Sequence, residues 1–195
     1  MASELALKYA VSIQTISAAY DWICVRRMLQ EHAAEVTQWF EHESIVDLQP
    51  ELRRELKDPA GYYQINGVTV LLARLHGVCT GLVALRRLDG DTAEVGRLYA
   101  RPEGRKAGAE ALLLEAALAT AYDRGIRRVV LDEFATSSEA GITFVESAGF
   151  IPVAANGGRT HARLELVLDK TRSTSVRTGG NQLPRWLPAQ RRLVV

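Results

Sequence analysis

The sequence predicts an α/β (α+β) domain whose central sheet is mixed, mostly antiparallel and flanked by helices. Three observations predict it. Segments of period-2 alternation interleave with segments of helical period, in the order βααβββαβαββ. Consecutive strand-like runs meet at turn residues, His76-Gly77 and Asp89-Gly90-Asp91, as neighbouring antiparallel strands do. One strand runs through a short basic loop into an apolar helix at 98–113.

Alternation of Val11 and Ile13 with Ser12 and Gln14 predicts a first strand at 9–16. Ser17 or Asp21 can cap the helix that follows, whose Val25, Met28, Leu29, Val36 and Phe40 recur at helical spacing. Asp47-Leu48-Gln49-Pro50 opens a shorter helix at 51–57, which Asp58-Pro59-Ala60-Gly61 ends. Strands at 68–75 and 78–85 form a tight hairpin, and a fourth strand covers 93–100. The helix at 108–124 carries Leu112, Leu113, Ala116 and Ala119 or Thr120 on one side, and Gly125 stands where a C-terminal cap belongs. Val129-Val130-Leu131 marks a buried strand. Ser137-Ser138-Glu139 starts a helix that ends at Gly149, and 151–154 pairs with 162–168 around Asn156-Gly157-Gly158. The domain is expected to span 1–170, followed by a basic Pro/Gly/Ser/Thr-containing tail at 171–195 with no core of its own. Trp186 and Leu193-Val194-Val195 could dock that tail.

The 195 residues are 47% hydrophobic and 24% charged, as in ordinary soluble domains. The net charge is +1 and the tail alone carries +5, leaving −4 on residues 1–170. A mildly acidic body argues against nucleic acid as the main ligand. Cys24 and Cys79 show no metal spacing and are expected to be reduced thiols. No apolar run reaches membrane-spanning length and no signal peptide is legible, so a cytoplasmic location without membrane attachment is expected. No His/Cys/Asp/Glu cluster has metal-ligand spacing, no Ser-His-Asp set stands out, and the loop at 104–108 lacks Gly-x-Gly-x-x-Gly.

The segment at 98–113 has the physics of an anion site. Unpaired N–H groups at the start of a helix point outward, and its dipole favours negative charge. Arg101, Arg105 and Lys106 add positive charge nearby.

That segment follows Ala93-Glu94-Val95-Gly96-Arg97-Leu98-Tyr99-Ala100. It precedes a Leu/Ala-rich helix ending at Arg124-Gly125, and later Phe144-Val145-Glu146-Ser147-Ala148-Gly149-Phe150-Ile151-Pro152. In this order, over roughly residues 9–169, the pieces resemble the GNAT family of acyl-CoA-dependent N-acyltransferases. The resemblance implies a bulge that splays the fourth and fifth strands. Backbone at Leu98, Tyr99 and Ala100 would pair with the pantetheine arm. The pyrophosphate would fall on Arg105, Lys106, Ala107, Gly108, Ala109 and Glu110. It further implies acetyl or other acyl transfer from CoA to an amine of a small molecule or peptide, without a metal, and a homodimer is a further expectation. Glu94 corresponds to a basic glutamate on the fourth strand, with exposure or pairing to Arg97 as its structural alternative. Trp39, Phe40, Glu43 and Tyr63, with Glu41, His42 and Tyr62, would line the acceptor side, where an aromatic and acidic surface suits a cationic amine.

Two residues depart from the family pattern. Glu110 stands where the loop usually has Gly or Ala. It either complements the helix dipole, worth about 0.3–1 kcal/mol, or opposes the phosphates. Two like charges about 4 Å apart at an effective dielectric near 20 repel by roughly 4 kcal/mol. In the second case Glu110 weakens CoA binding or occupies the anion site when ligand is absent. Val145 stands where the family often has a proton-donating Tyr, four residues before Gly149. Such an acid is worth about 10²–10⁴-fold in rate, but a thiol with a pKa near 8.5 leaves tolerably without it. Tyr99 is the candidate substitute, and Ser137, Ser138 and Tyr122 are others. His32 and His161 are expected at the surface, and His76 in its turn. Two rivals stay open: a non-catalytic binding or regulatory module on the same fold, and altered chemistry in the same cleft, such as acyl hydrolysis or decarboxylation.

Overall fold

The computed structural model describes residues 11–39, 50–131, 139–153 and 163–168. Tyr9, Phe40, Glu43, Ser137, Ser138, the Asn156-Gly157-Gly158 turn, His161 and the 171–195 tail lie outside them, as does the side chain of Trp39. Seven strands form one sheet in the order β1-β2-β3-β4-β5-β7-β6. They are β1 (Val11–Thr15), β2 (Thr69–Leu75), β3 (Val78–Arg87), β4 (Thr92–Ala100), β5 (Arg128–Leu131), β6 (Ile151–Val153) and β7 (Arg163–Val167). Only β4 and β5 run parallel, and every other pairing is antiparallel.

Helices cover both faces. On one lie α1 (Ala19–Trp39), α2 (Pro50–Lys57) and α3 (Pro59–Ile65), packed on Leu72, Leu82, Ala84 and Tyr99. On the other lie α5 (Ala109–Asp123) and α6 (Glu139–Ser147), packed on Leu71, Val83, Val95 and Val129. A short α4 (Pro102–Lys106) links β4 to α5. Among the described residues no helix is long and apolar enough to cross a membrane.

Local chemistry explains most boundaries. The third-turn-position Asp21 of α1 reaches back to the Ser17 and Ala18 N–H groups at 2.9 and 3.0 Å. That is the carboxylate half of a capping box. Its backbone bonds, chiefly that from Ser17, hold the carboxyl below its usual range, with Arg74 adding to the effect against burial. His76 (φ 52°) and Gly77 (φ 79°) both lie at positive φ, as the two-residue turn of the β2–β3 hairpin requires. Gly125, at φ 77°, ends α5 as expected.

Four expectations are corrected. Asp58-Pro59 ends α2 at Lys57 as expected, but it also starts α3 in place of the expected loop. The Asp58 side chain accepts from Gly61 N–H at 3.1 Å and Pro59 occupies the first turn, the N-terminal signature of a new helix. Residues 102–106 are helical rather than loop, again with Pro102 in the first turn. The buried stripe of α5 is Ala109, Leu113, Leu114, Ala117, Leu118 and Ala121, one step round from the expected face. The helix is apolar nearly all round, so periodicity could not orient it. His32 is buried, 7% exposed, rather than at the surface.

Two bulges position the site. In β3 the register against β2 slips after Ala73, leaving Thr80 as the extra residue. Its carbonyl accepts from Arg101 N–H at 2.8 Å. A Cβ on Gly104 would stand 2.9 Å from that same carbonyl oxygen, so α4 sits backbone-on-backbone over β3. Gly104→Ala should cost about 1–3 kcal/mol by overpacking, a fall in Tm of roughly 3–10 °C. An unchanged melt would show that α4 can lift away freely. In β4 the second bulge falls at Arg97 and Leu98 opposite Val83, with Arg97 at φ 55°.

Candidate active site

β4 pairs with β5 from Thr92 to Val95, where the described part of β5 ends, and runs on past the bulge to Tyr99 and Ala100. N–H groups alternate in direction along a strand. Because Arg101 N–H goes to β3, Tyr99 N–H also faces β3 and Ala100 N–H points the other way, toward the β5 side. Leu98 packs on the α5 side and Tyr99 on the α1 side.

Beyond β4 and α4, Gly108 (φ 78°) takes the N-cap of α5 without a side-chain cap. Nothing lies within 4 Å of where its Cβ would be. The first N–H groups of α5 therefore lack a capping side chain beside an unobstructed backbone, and Lys106 is exposed next to them. Ala107 is partly buried and Ala109 wholly so. A glycine bearing no Cβ, a helix start and a basic residue together fit an anionic group.

The arginines are already engaged. Arg101 forms a two-pronged pair with Glu31 at 2.7 and 2.9 Å and donates to Cys79 O at 2.8 Å. It faces α1 rather than the helix start. Arg105 Nη2 lies 2.6 Å from both oxygens of Glu35, and its Nε bonds Glu110 at 3.0 Å. Its guanidinium also stands over the Tyr99 ring, 5.6 Å from the centroid. Burial pushes the Glu110 carboxyl above its usual range, against the pull of Arg105 and of a hydrogen bond from Ala100 N–H.

The Tyr99 hydroxyl is 3.4 Å from Glu31, and its ring is 5.6 Å from that of His32. Burial, then the charges of Glu31 and Glu35, push the phenol up to about 12. His32 is held down to about 3 by burial and then by Arg97 and Arg105, so it is neutral at physiological pH. Val145 is wholly buried in the α5-side core, and Tyr122 packs against the same core. Cys24 and Cys79 are both free thiols. Burial beside Cys24 pushes Cys79 up to about 12, leaving it unreactive at neutral pH.

On the α1–α3 face a small recess lies beside the bulge, bounded by Glu51, Tyr62, Arg86, Glu94 and Arg97. Glu94 pairs with Arg86, not Arg97. Both Arg86 bonds, 3.1 and 2.5 Å, end on Oε2, outside which Oε1 remains. Arg97 instead meets Glu55 in a buried two-pronged pair at 3.0 Å, and Tyr63 O–H donates to the same carboxylate at 2.7 Å. Tyr63 is 2% exposed, so it supports the recess from beneath.

Sequence reasoning missed Glu31, Glu35, Glu55, Arg86 and His32. The i, i+4 spacing of Glu31 and Glu35 puts them on one helix face. Their partners, Arg101 and Arg105, are each 70 residues away, beyond any local pattern.

The sequence pattern of the acetyltransferase (GNAT) family matches residues 31–150. No curated protein matches the chain significantly by sequence. Among solved structures, a GNAT-family acetyltransferase of Staphylococcus aureus Mu50 superposes with a TM-score of 0.63 at 17% identity, covering 82% of this chain and all of that one. The PaiA N-acetyltransferase of Thermoplasma acidophilum, solved with coenzyme A, gives 0.61 at 20% identity over 82% and 99%. N-acetylglutamate synthase of Neisseria gonorrhoeae, complexed with coenzyme A and N-acetyl-glutamate, gives 0.57 at 18% identity over 83% of this chain and 36% of that one. The mixed seven-stranded sheet is the GNAT fold, and the chain belongs to the GNAT acetyltransferase family.

Proposed function

We propose that the protein transfers an acyl group, acetyl in the simplest case, from CoA to an amine of a small molecule or peptide. The observation that supports this is the run from the β4 bulge into the Gly108-capped start of α5, beside Arg105 and Lys106, with Ala100 N–H turned away from β3. Acyl-CoA supplies the activated thioester. Leu98, Tyr99 and Ala100 flank its pantetheine arm, and residues 105–110 hold its pyrophosphate. Ala100 N–H is placed to donate to a carbonyl oxygen, a preorganised donor for developing negative charge.

The acceptor enters over the recess, where Glu51, Arg86 and Glu94 together carry net negative charge toward a cationic amine. Trp39, Phe40 and Glu43 are assigned to the acceptor side by the family resemblance alone. Glu94 removes the ammonium proton through water from Oε1 while Arg86 holds Oε2. Tyr99 acts as a hydrogen-bond donor. With its phenol at about 12 and a thiol near 8.5, full proton transfer from Tyr99 is uphill, so the thiolate leaves unprotonated. Glu94→Gln should lower the amine-dependent rate about 10²-fold, the low end of what a positioned base supplies, with CoA affinity unchanged. An unaltered rate removes Glu94 from the chemistry.

The buried Val145 favours a second reading, in which the fold keeps the CoA seat without transfer. Thiol release from acetyl-CoA across a panel of amines separates these. Amine-dependent release supports transfer, release without amine indicates hydrolysis, and binding without release indicates a binding module.

A further inference from the structure

The site that should take an anionic cosubstrate already holds an anion of the chain's own. Glu110 projects from the first turn of α5 and bonds Arg105 Nε at 3.0 Å. Glu110 thereby reaches from the start of α5 onto the guanidinium carried by α4. Glu35, from α1, holds the other end of the same guanidinium with both oxygens at 2.6 Å. Arg105 thus bridges two carboxylates across the mouth between α1 and α5. The side chains are only partly buried, Arg105 36% exposed, Glu35 28% and Glu110 33%. They can therefore rearrange without unfolding the core.

A cosubstrate carrying phosphates needs this same arginine. The guanidinium is satisfied before it arrives, and two carboxylates face the position its charge would take. Ordinary dipole complementation at a helix start involves the helix alone. Here Glu110 shares one guanidinium with Glu35 of α1, and that shared bridge distinguishes the two cases.

We propose that Glu110 is an internal ligand of the cosubstrate site, and that Glu110 with Glu35 sets the chain's affinity for CoA by having to be displaced from Arg105. This rests on the reading of this segment as a CoA site. In the free protein the latch ties α4 to α5 and α1 through Arg105. When the anion enters, Glu110 swings to solvent and Arg105 exchanges a carboxylate for a phosphate, a bidentate partner it accepts equally well. The residue at 110 is thus an affinity-determining position, not a member of the chemical machinery.

The test is CoA titration by calorimetry, with parallel thermal melts, on the wild type, Glu110→Gln, Glu110→Gly and Glu35→Gln. Glu110→Gln keeps the shape and removes the charge. The expected result is CoA binding tighter by about tenfold or more in both Glu110 variants and a smaller gain for Glu35→Gln, with the Tm of free Glu110→Gln held or slightly raised because burial disfavours the charge there. If the wild type binds CoA and the Glu110 variants bind no tighter, the latch is wrong while the CoA reading stands. If only the Glu110 variants bind, both are supported. If none binds, the CoA reading fails and the latch with it.

Discussion

Glu55→Gln will destabilise the protein by about 3–5 kcal/mol, the usual cost of removing one partner from a buried ion pair. Glu55 and Arg97 are 5% and 7% exposed at their side chains, so neither charge can fall back on water. The pair joins α2 to the bulge of β4, and Tyr63 from α3 donates to the same carboxylate. A glutamine keeps the volume and one acceptor but leaves the guanidinium without a counter-charge in a water-poor site. The loss should appear in urea unfolding as a lower midpoint with an unchanged slope. The double variant Glu55→Met with Arg97→Met should recover much of it, because apolar residues of similar volume carry no desolvation penalty. A loss under about 1 kcal/mol for Glu55→Gln alone would mean that water reaches the pair.

Acid sensitivity between pH 6.5 and 3 should come largely from His32. Burial, then the charges of Arg97 and Arg105, hold this imidazole down to about 3, whereas in the unfolded chain it takes a proton near 6.5. Between those values the unfolded chain binds one more proton than the folded one. The contribution is thus complete above pH 6.5 and is lost as pH falls toward 3, with a slope approaching 1.36 kcal/mol per pH unit. The full span is on the order of 4 kcal/mol. Other groups act in separable ways. Burial raises Glu110 and Glu115, which favours the folded state as pH falls. Asp21 and Glu31 are lowered and begin to lose their contribution only as pH falls through the ordinary carboxylate range, about 4, well below the onset for His32. Burial opposes the lowering of Glu31, and the hydrogen bonds and charge of Arg101 prevail. His32→Phe keeps a ring against Tyr99 and removes the titration. Its stability should be nearly flat from pH 7 to 5 where the wild type declines. Parallel pH curves for the two proteins would place His32 in contact with water.

The backbone plan was legible because its signals are local. Turn residues at His76-Gly77, Gly125 at a helix end, alternation in β1 and the apolar run Val129-Val130-Leu131 each act within a few residues. The helix starts at Pro59 and Pro102 were equally local but went unread, since Asp-Pro and Arg-Pro can close one element or open the next. The orientation of α5 was not legible, because a helix apolar on nearly every side carries no phase.

The site divides along the same line. The sequence alone placed β4, a basic segment and the start of α5 in that order, with Gly108 at the helix start, and marked Glu110 and Val145 as departures from the family pattern. Only the tertiary structure decided which charges meet. It turned Arg97 from Glu94 to Glu55, gave Glu94 to Arg86, took Arg101 away to Glu31, and set Glu110 and Glu35 on Arg105. Helix and turn signals depend on neighbouring residues, whereas ion pairs depend on which segments the sheet brings together. Arg101 with Glu31 and Arg105 with Glu35 both join residues 70 apart, and only packing of α1 against the end of β4 and α4 makes them neighbours.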